Sequence, residues 1–389
     1  MARVLALLLF VAASSVAVAQ PDPKSPKEPP LTAEQVKAER EAEAYITKVG
    51  GTPIRDVSHV GKGLITFNFF SSGKPTDVAA VDFAKAAGAR KVTRLGLIGV
   101  ANADAALKTV AAMPGIDSVT LDGSDVTDIG LKAVAALPNL AELDLSRCGK
   151  ITAAGWKELA AATKLQRLFL NESTIDDAGL KALAPLVGLQ VVKLPGCKVT
   201  LAGTEATFAA WAKLIELDLT DTQLTDEGLK AVGGATKLDT LTVNGTAITD
   251  FGLRPLLNLK VLHAFVANDT TKLTGTGFVT VAALANLSEV QLSGSAVSDD
   301  GLGALARLPG LKTLDLDKTK VTDNGMRNLA GAKALEKLSI QETPVTDKGA
   351  AAVAAVKTLK ELQVRKSKVT KAAVADAAKA NAALRLVFD

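Results

Sequence analysis

The chain is poor in the side chains on which most site chemistry relies. Among 389 residues there are two cysteines, two histidines, one tyrosine and two tryptophans, and aromatics make up only 4%. Two cysteines cannot build a disulfide framework. His59 and His263 stand about two hundred residues apart, so neither a histidine metal site nor a Cys/His zinc site has workable spacing. Charge of one sign is scarce too: 45 basic residues against 41 acidic ones leave a formal charge of +4, with no like-charged block. The basic stripe and stacking aromatics of a nucleic-acid binder are missing. Beyond residue 19 no stretch approaches the ~18 uninterrupted apolar residues of a membrane span.

The motifs of cofactor and catalytic sites are missing as well. TGTGFV (274–279) contains a G-x-G but neither the third glycine nor the distal acid of a dinucleotide fingerprint. GKG (61–63) lacks the flanking glycines and hydroxyl of a phosphate loop, and no G-x-S-x-G elbow occurs. No cofactor, metal or enzymatic activity is therefore expected. What is abundant is aliphatic: hydrophobic residues reach 48%, which with so few aromatics suits many small, similar layers better than one irregular core.

The chain opens with MARVLALLLFVAASSVAVAQ. A basic Arg3, an apolar run and Ala17-Val18-Ala19 before Gln20 have the layout of a secretory signal, with cleavage expected after Ala19. No cysteine follows to carry a lipid, so an extracytoplasmic address is expected, in the periplasm, on the cell surface or in the medium. Residues 20–31, with QPDPKSPKEPP, read as a solvated Pro-rich linker. Thr32 and Gln35 then form a capping-box pattern, with Leu31 placed as a staple. Ala38, Ala42, Tyr45, Ile46 and Val49 share one helical face, and Gly50-Gly51 ends the run. Residues 32–91 are expected to be this helix and a degenerate capping repeat.

From there the chain repeats itself. Taking Leu214 as the first position, LIELDLTDTQLTDEGLKAVGGATK runs for about twenty-four residues before Leu238 begins again. The same frame starts at Ile116, Leu140, Leu165, Leu189, Val261, Leu287, Leu311, Leu335 and Leu359, with a worn copy from Val92 and a half-repeat at the end. The pattern L-x-x-L-x-L-x-x-(T/S/C)-x-(I/V/L), followed by T-D-x-G-L, resembles the leucine-rich repeat, most closely its cysteine-containing subclass. That resemblance implies an α/β solenoid over residues 92–389, a horseshoe with a parallel β-sheet on the concave face and helices on the convex face. It also implies a protein or peptide partner. One departure stands out: the ninth position, commonly Asn or Cys in the family, is here mostly Thr or Ser.

Each recurring residue has a physical task. Positions 4 and 6 point inward, so that residues such as Leu145, Leu219, Val266 and Leu316 stack into an aliphatic column no single repeat could bury. Ser124, Cys148, Ser173, Cys197, Thr222 and their equivalents at position 9 can satisfy backbone groups where the chain turns. Cys148 and Cys197 lie two repeats apart, about 10 Å, beyond disulfide reach, and are expected to be reduced and buried. Thr at position 12 caps a helix, Asp at position 13 suits its dipole, and the glycine at position 15 implies a close backbone approach. Asp128, Asp177, Asp226, Asp250, Asp299, Asp323 and Asp347 recur too regularly to be catalytic or calcium-binding acids.

Positions 3, 5 and 7 should face the concave side. They carry Asp122, Glu142, Asp144, Glu216, Asp218, Glu289, Asp315, Asp317 and Glu361 against Arg167, Lys193, Lys337 and Arg365, an acidic surface on a slightly basic chain. A patch of Arg167, Phe169, Glu216, Asp218, His263, Phe265 and Gln291 offers mixed charge and two aromatics that could anchor a partner. The repeat from Val261 is irregular, with two extra residues expected before Leu273, and its loop could form a lip of that surface. N-x-S/T triplets begin at Asn171, Asn244, Asn268 and Asn286 but arise readily in Thr- and Ser-rich repeats. A secreted, non-enzymatic recognition scaffold is the expected function. An envelope spacer and a secreted effector or substrate-receptor-like protein are the alternatives.

Overall fold

The structure, a computed structural model, describes residues 31–56, 64–70, 81–89, 91–373, 381 and 384–387. The signal sequence, nearly all of the linker, His59 and the GKG segment lie outside the described residues. Fifteen strands form one sheet in strict chain order. The first three are β1 (Thr52–Asp56), β2 (Leu64–Phe70) and β3 (Val92–Ile98). Then come three-residue strands, one per repeat: β4 (Ser118–Thr120), β5 (Glu142–Asp144), β6 (Arg167–Phe169), β7 (Val191–Lys193), β8 (Glu216–Asp218) and β9 (Thr240–Thr242). The series closes with β10 (Ala264–Val266), β11 (Glu289–Gln291), β12 (Thr313–Asp315), β13 (Lys337–Ser339), β14 (Glu361–Gln363) and β15 (Arg385–Val387). Only β1 and β2 pair antiparallel; from β2 onward every pairing is parallel. The sheet stays open and the return segments cover its other face, the expected α/β solenoid.

At the N-terminal end, helix α1 (Ala33–Lys48) starts on the full capping box of Thr32 and Gln35. It buries Ala42 and Ile46 as its spacing predicts, and also Glu39, whose carboxylate accepts the Lys91 N–H. Tyr45 turns its hydroxyl to the Asp82 N–H. Phe69 and Phe83 meet edge to face at 6.3 Å beneath the helix. Buried phenylalanines, Phe67, Phe69 and Phe83, thus fill the core where the repeating leucines stop.

Within a repeat, Leu at positions 1, 4 and 6 is wholly buried, as at Leu214, Leu217 and Leu219. The next turn passes through a left-handed residue at position 8, which sequence reading did not identify. Glycine serves there at Gly123, Gly196 and Gly245, but Arg147, Glu172, Asp221, Lys318 and Glu342 adopt it too, at a cost of order 1 kcal/mol each. The conformation keeps the ladder intact, because the position-8 N–H still donates to the following repeat, Arg147 to Asn171 and Asp221 to Asn244. The buried hydroxyl at position 9 then closes on its own repeat, Thr222 Oγ1 donating to the Leu219 carbonyl at 2.8 Å. Cysteine at that position reaches back instead: Cys148 donates to Leu121 O and Cys197 to Leu170 O. Both cysteines are free and buried, and burial pushes the Cys148 thiol up to about 12. Such a thiol is inert.

The repeating aspartates do more than complement a helix dipole. Asp226 accepts both the N–H and the hydroxyl of Thr249 in the following repeat, at 2.7 and 2.6 Å. The same pair of bonds joins Asp104 to Thr127, Asp128 to Thr152, Asp177 to Thr200, Asp250 to Thr274, Asp299 to Thr322, Asp323 to Thr346 and Asp347 to Thr370. Thr249, like Thr127, Thr152, Thr322 and Thr346, then caps its own helix. Thr225 is an exception. The preceding repeat offers Leu201 where an aspartate would stand, and Thr225 makes no side-chain cap bond. The clasp also explains many of the glycines at position 15. A methyl group on Gly252 would overlap the Asp226 carboxylate, and one on Gly325 that of Asp299. At these glycines the close approach is to the preceding repeat's aspartate, whereas Gly228 and Gly301 instead face the carbonyls of Thr200 and Thr274. Two repeats turn in 3₁₀ rather than α geometry, Asp250–Asn258 and Thr276–Val281. Pro255 in the first lacks the N–H that an α-helix interior needs.

Asp323 shows what the clasp does to a carboxyl. Partial desolvation opposes ionisation there. The bonds from Thr346 Oγ1, Thr346 N–H and Gly349 N–H, with Arg327 nearby, outweigh it and hold the group below its ordinary value. A depressed folded-state pKa stabilises above the unfolded value of about 3.9, and that stability is lost as pH falls through the folded value. Asp323→Asn is therefore expected to cost about 1 kcal/mol at pH 7. The deficit should shrink as the wild type is acidified below pH ~4, as measured by urea unfolding across pH.

Candidate binding face of the sheet

Because strand residues alternate, positions 3 and 5 of each repeat project from the concave side while position 4 enters the core. Arg167 and Phe169 project from β6, Glu216 and Asp218 from β8, each half-buried between its neighbours. On the strand between, β7, lie buried Val191 and half-buried Lys193. These side chains form one patch. Arg167 Nε pairs with Glu142 at 3.1 Å and its guanidinium lies 5.5 Å from the Phe169 ring centre. Lys193 pairs with Glu216 at 2.8 Å. Asp218 has no cation among the described ion pairs and accepts the N–H and hydroxyl of Thr220.

The other members of the sequence-predicted patch fall elsewhere. Gln291 is concave but on β11, three strands beyond β8 or about 14 Å, and its amide donates to Glu289. Phe265 is a correction: it is fully buried and packs edge to face on Phe278 at 5.9 Å. Its partners in register are Leu241 and Val290, both core residues. The repeat therefore begins at Leu262, which is fully buried, and not at Val261, which is 39% exposed. Two adjacent apolar residues had allowed two frames, and a slip of one residue flips every strand side chain to the other face. The adopted frame buries the phenyl ring and puts Ala264 and Val266, not His263 and Phe265, at positions 3 and 5. His263 stands before β10, exposed, with its backbone held by Asp239, Ser288 and Glu289.

The same shift brings Asn268 to the concave row, Asp269 to the left-handed position and Thr270 to the turn. Thr270 is fully buried and donates to Ala267 O as its counterparts do. Only one extra residue then remains before Leu273, where two had been expected. Thr270 was the legible signal: a hydroxyl eight residues after Leu262 completes the position-9 row, whereas the earlier frame left that row empty.

Burial raises two concave carboxyls. Asp144 is desolvated, with Asp122 and Glu142 adding repulsion, against the Ser146 hydroxyl beside it and the Ser146 N–H bond. Asp315 is raised mainly by desolvation and by Asp317, against the Asp317 N–H bond. Groups of three or more His, Cys, Asp and Glu suited to a metal do not occur among the described residues. Nor is any helix among them long and apolar enough to cross a membrane.

A family model described as Leucine Rich repeat matches residues 136–160, 212–233 and 309–330. No curated protein matches the chain in sequence. Among solved structures, an internalin from Listeria monocytogenes aligns over 92% of this chain and 98% of its own, at 18% identity and a TM-score of 0.62. A leucine-rich-repeat protein from Leptospira interrogans aligns over 80% and 97%, at 16% identity and a TM-score of 0.48. At 18% identity the first likeness is one of fold.

The two phenylalanines provide a direct check of the frame. Phe265→Ala is expected to cost about 3–5 kcal/mol, whereas Phe169→Ala should stay within about 1 kcal/mol of wild type. Equal losses in urea unfolding would show the frame to be misplaced.

Proposed function

We infer that this chain, which is a leucine-rich-repeat protein, works outside the cytoplasm as a non-enzymatic scaffold that recognises a protein or peptide through its concave face. The signal-like segment 1–19 supports the address. The observation that carries the binding role is the Arg167–Phe169–Lys193–Glu216–Asp218 patch. There, charged side chains and one half-buried aromatic ring are held on rigid strands by neighbouring repeats. Rigid presentation reduces the ordering entropy that association must overcome. An aromatic ring beside ion-paired charges is the kind of anchor around which interface energy concentrates. The parallel ladder supplies the rigidity, and the alternation of strand side chains supplies the exposed row.

The test exchanges charge without breaking the pair. Lys193→Glu with Glu216→Lys preserves one ion pair across β7 and β8 while inverting its polarity, and Asp218→Lys reverses the charge of the neighbouring carboxylate. The triple variant is expected to melt within a few degrees of wild type but to lose the proteins that wild type captures from the native extracytoplasmic fraction. An unchanged set of captured proteins would contradict the proposal.

A further inference from the structure

Most polar groups on the concave face are matched by a neighbour, but one place is left short. Asp144 ends β5, and one of its carboxylate oxygens accepts the Ser146 N–H at 2.9 Å. Ser146 is only 6% exposed. Its hydroxyl sits beside the Asp144 carboxylate without the geometry of a full hydrogen bond, and has no other partner. One strand over, Asn171 continues the row. The pairing of Asp144 with Phe169 and the bond from Arg147 N–H to Asn171 O place it opposite Ser146, about 4.8 Å away along the ladder. The Asn171 side-chain oxygen is also buried and unpartnered. Buried polar atoms without a partner are few in native structures, and each calls for an explanation, of which a bound group is one.

The surrounding charges define such a group. Asp122 is held by Arg147 through two bonds, and Glu142 is paired with Arg167. Asp144 lies between these neutralised pairs. The Asp144 carboxylate, the Ser146 hydroxyl and the Asn171 amide oxygen therefore follow one another along the concave row of two adjacent strands, and the Asp144 charge belongs to none of the described ion pairs. Phe169 stands beside Asp144 in register, an apolar ring with the Arg167 guanidinium 5.5 Å from its centre.

We propose that Asp144, Ser146 and Asn171 form an anchor pocket for a lysine side chain of the partner, the ammonium donating to the three oxygens and the methylenes lying along Phe169. An ammonium carries three donors and accepts nothing, which matches the three oxygens. A guanidinium fits less well, because its planar fork suits the two oxygens of one carboxylate, whereas these three oxygens come from three different side chains. The proposal deepens the reading of the concave face given above and rests on it only for the choice of face.

Tetralysine titrated into the full chain tests the pocket without knowledge of the natural partner. Wild type is expected to bind it with the carbon-13 resonance of the Asp144 carboxyl moving most and its titration midpoint falling. Asp144→Asn, which keeps the side-chain shape, should weaken binding at least tenfold, and Ser146→Ala at least threefold. Asp315→Asn, which removes another desolvated concave carboxylate outside the pocket, should leave binding unchanged. Tetralysine acetylated on every amine should not bind. Wild-type affinity in Asp144→Asn, or an equal loss in Asp315→Asn, overturns the proposal. Such a result, alongside loss of native partners from the charge-exchanged variant, would remove this anchor while leaving the broader reading intact. Tetralysine binding as expected, with native partners retained by that variant, would do the reverse.

Discussion

The Asp–Thr clasp between successive repeats is the interaction on which the rest of the structure depends. A single repeat buries too little to fold alone, so a solenoid is as stable as the joints between neighbours. The strand side of each joint is a three-residue ladder, short for an element that must fix register. The clasp supplies the second attachment on the helix side: one carboxylate grips the N–H and hydroxyl of the following threonine, and that threonine in several repeats caps its own helix. Where the clasp forms, as before Gly155, Gly252, Gly325 and Gly349, the space a Cβ would need is filled by the preceding aspartate. Thr, Asp and Gly at these places therefore form one device spread over two repeats.

With most repeats attached at both ends, the concave face is relieved of most of the work of holding the repeats together, although some of its carboxylates and amides, such as Asp218 and Asn268, still accept backbone N–H groups. Position 8 absorbs the turn in a left-handed conformation and position 9 satisfies the carbonyl the turn exposes, so positions 3, 5 and 7 can vary. They do vary: acid, base, amide, phenyl and small apolar residues succeed one another without the regularity of the clasp. Where they pair, as Glu142 with Arg167 and Lys193 with Glu216, the face is locally neutral. Where they do not, as at Asp144 and Asp218, it retains the charge that a partner can meet.

The repeat architecture was readable from sequence because burial forces a leucine period that chance does not produce. The clasp was readable in part. Each aspartate at position 13 is followed one repeat later by a threonine, while Ala153 and Leu201 are followed by Asp176 and by the uncapped Thr225. That correlation marks a bond between repeats, yet taken one repeat at a time the pattern showed only a helix cap. The frame around Phe265 was misread because Val261 and Leu262 are both apolar, and strand alternation alone could not choose between them. The buried hydroxyl Thr270 could. Of the candidate patch, Arg167, Phe169, Glu216 and Asp218 come together because their frames are unambiguous. Ser146 and Asn171 were not singled out as a pair, because an unsatisfied oxygen is a property of packing and leaves no mark in a sequence.

A double-mutant cycle on Asp226 and Thr249, measured by urea unfolding, tests the central claim most directly. If the carboxylate and the threonine act as one joint, Asp226→Ala and Thr249→Ala will each destabilise the chain, and the double variant will lose less than the sum. A coupling of about 1–2 kcal/mol is predicted. Additive losses, with coupling near zero, would mean that the aspartate serves only its own helix and that the repeats are held together by something else.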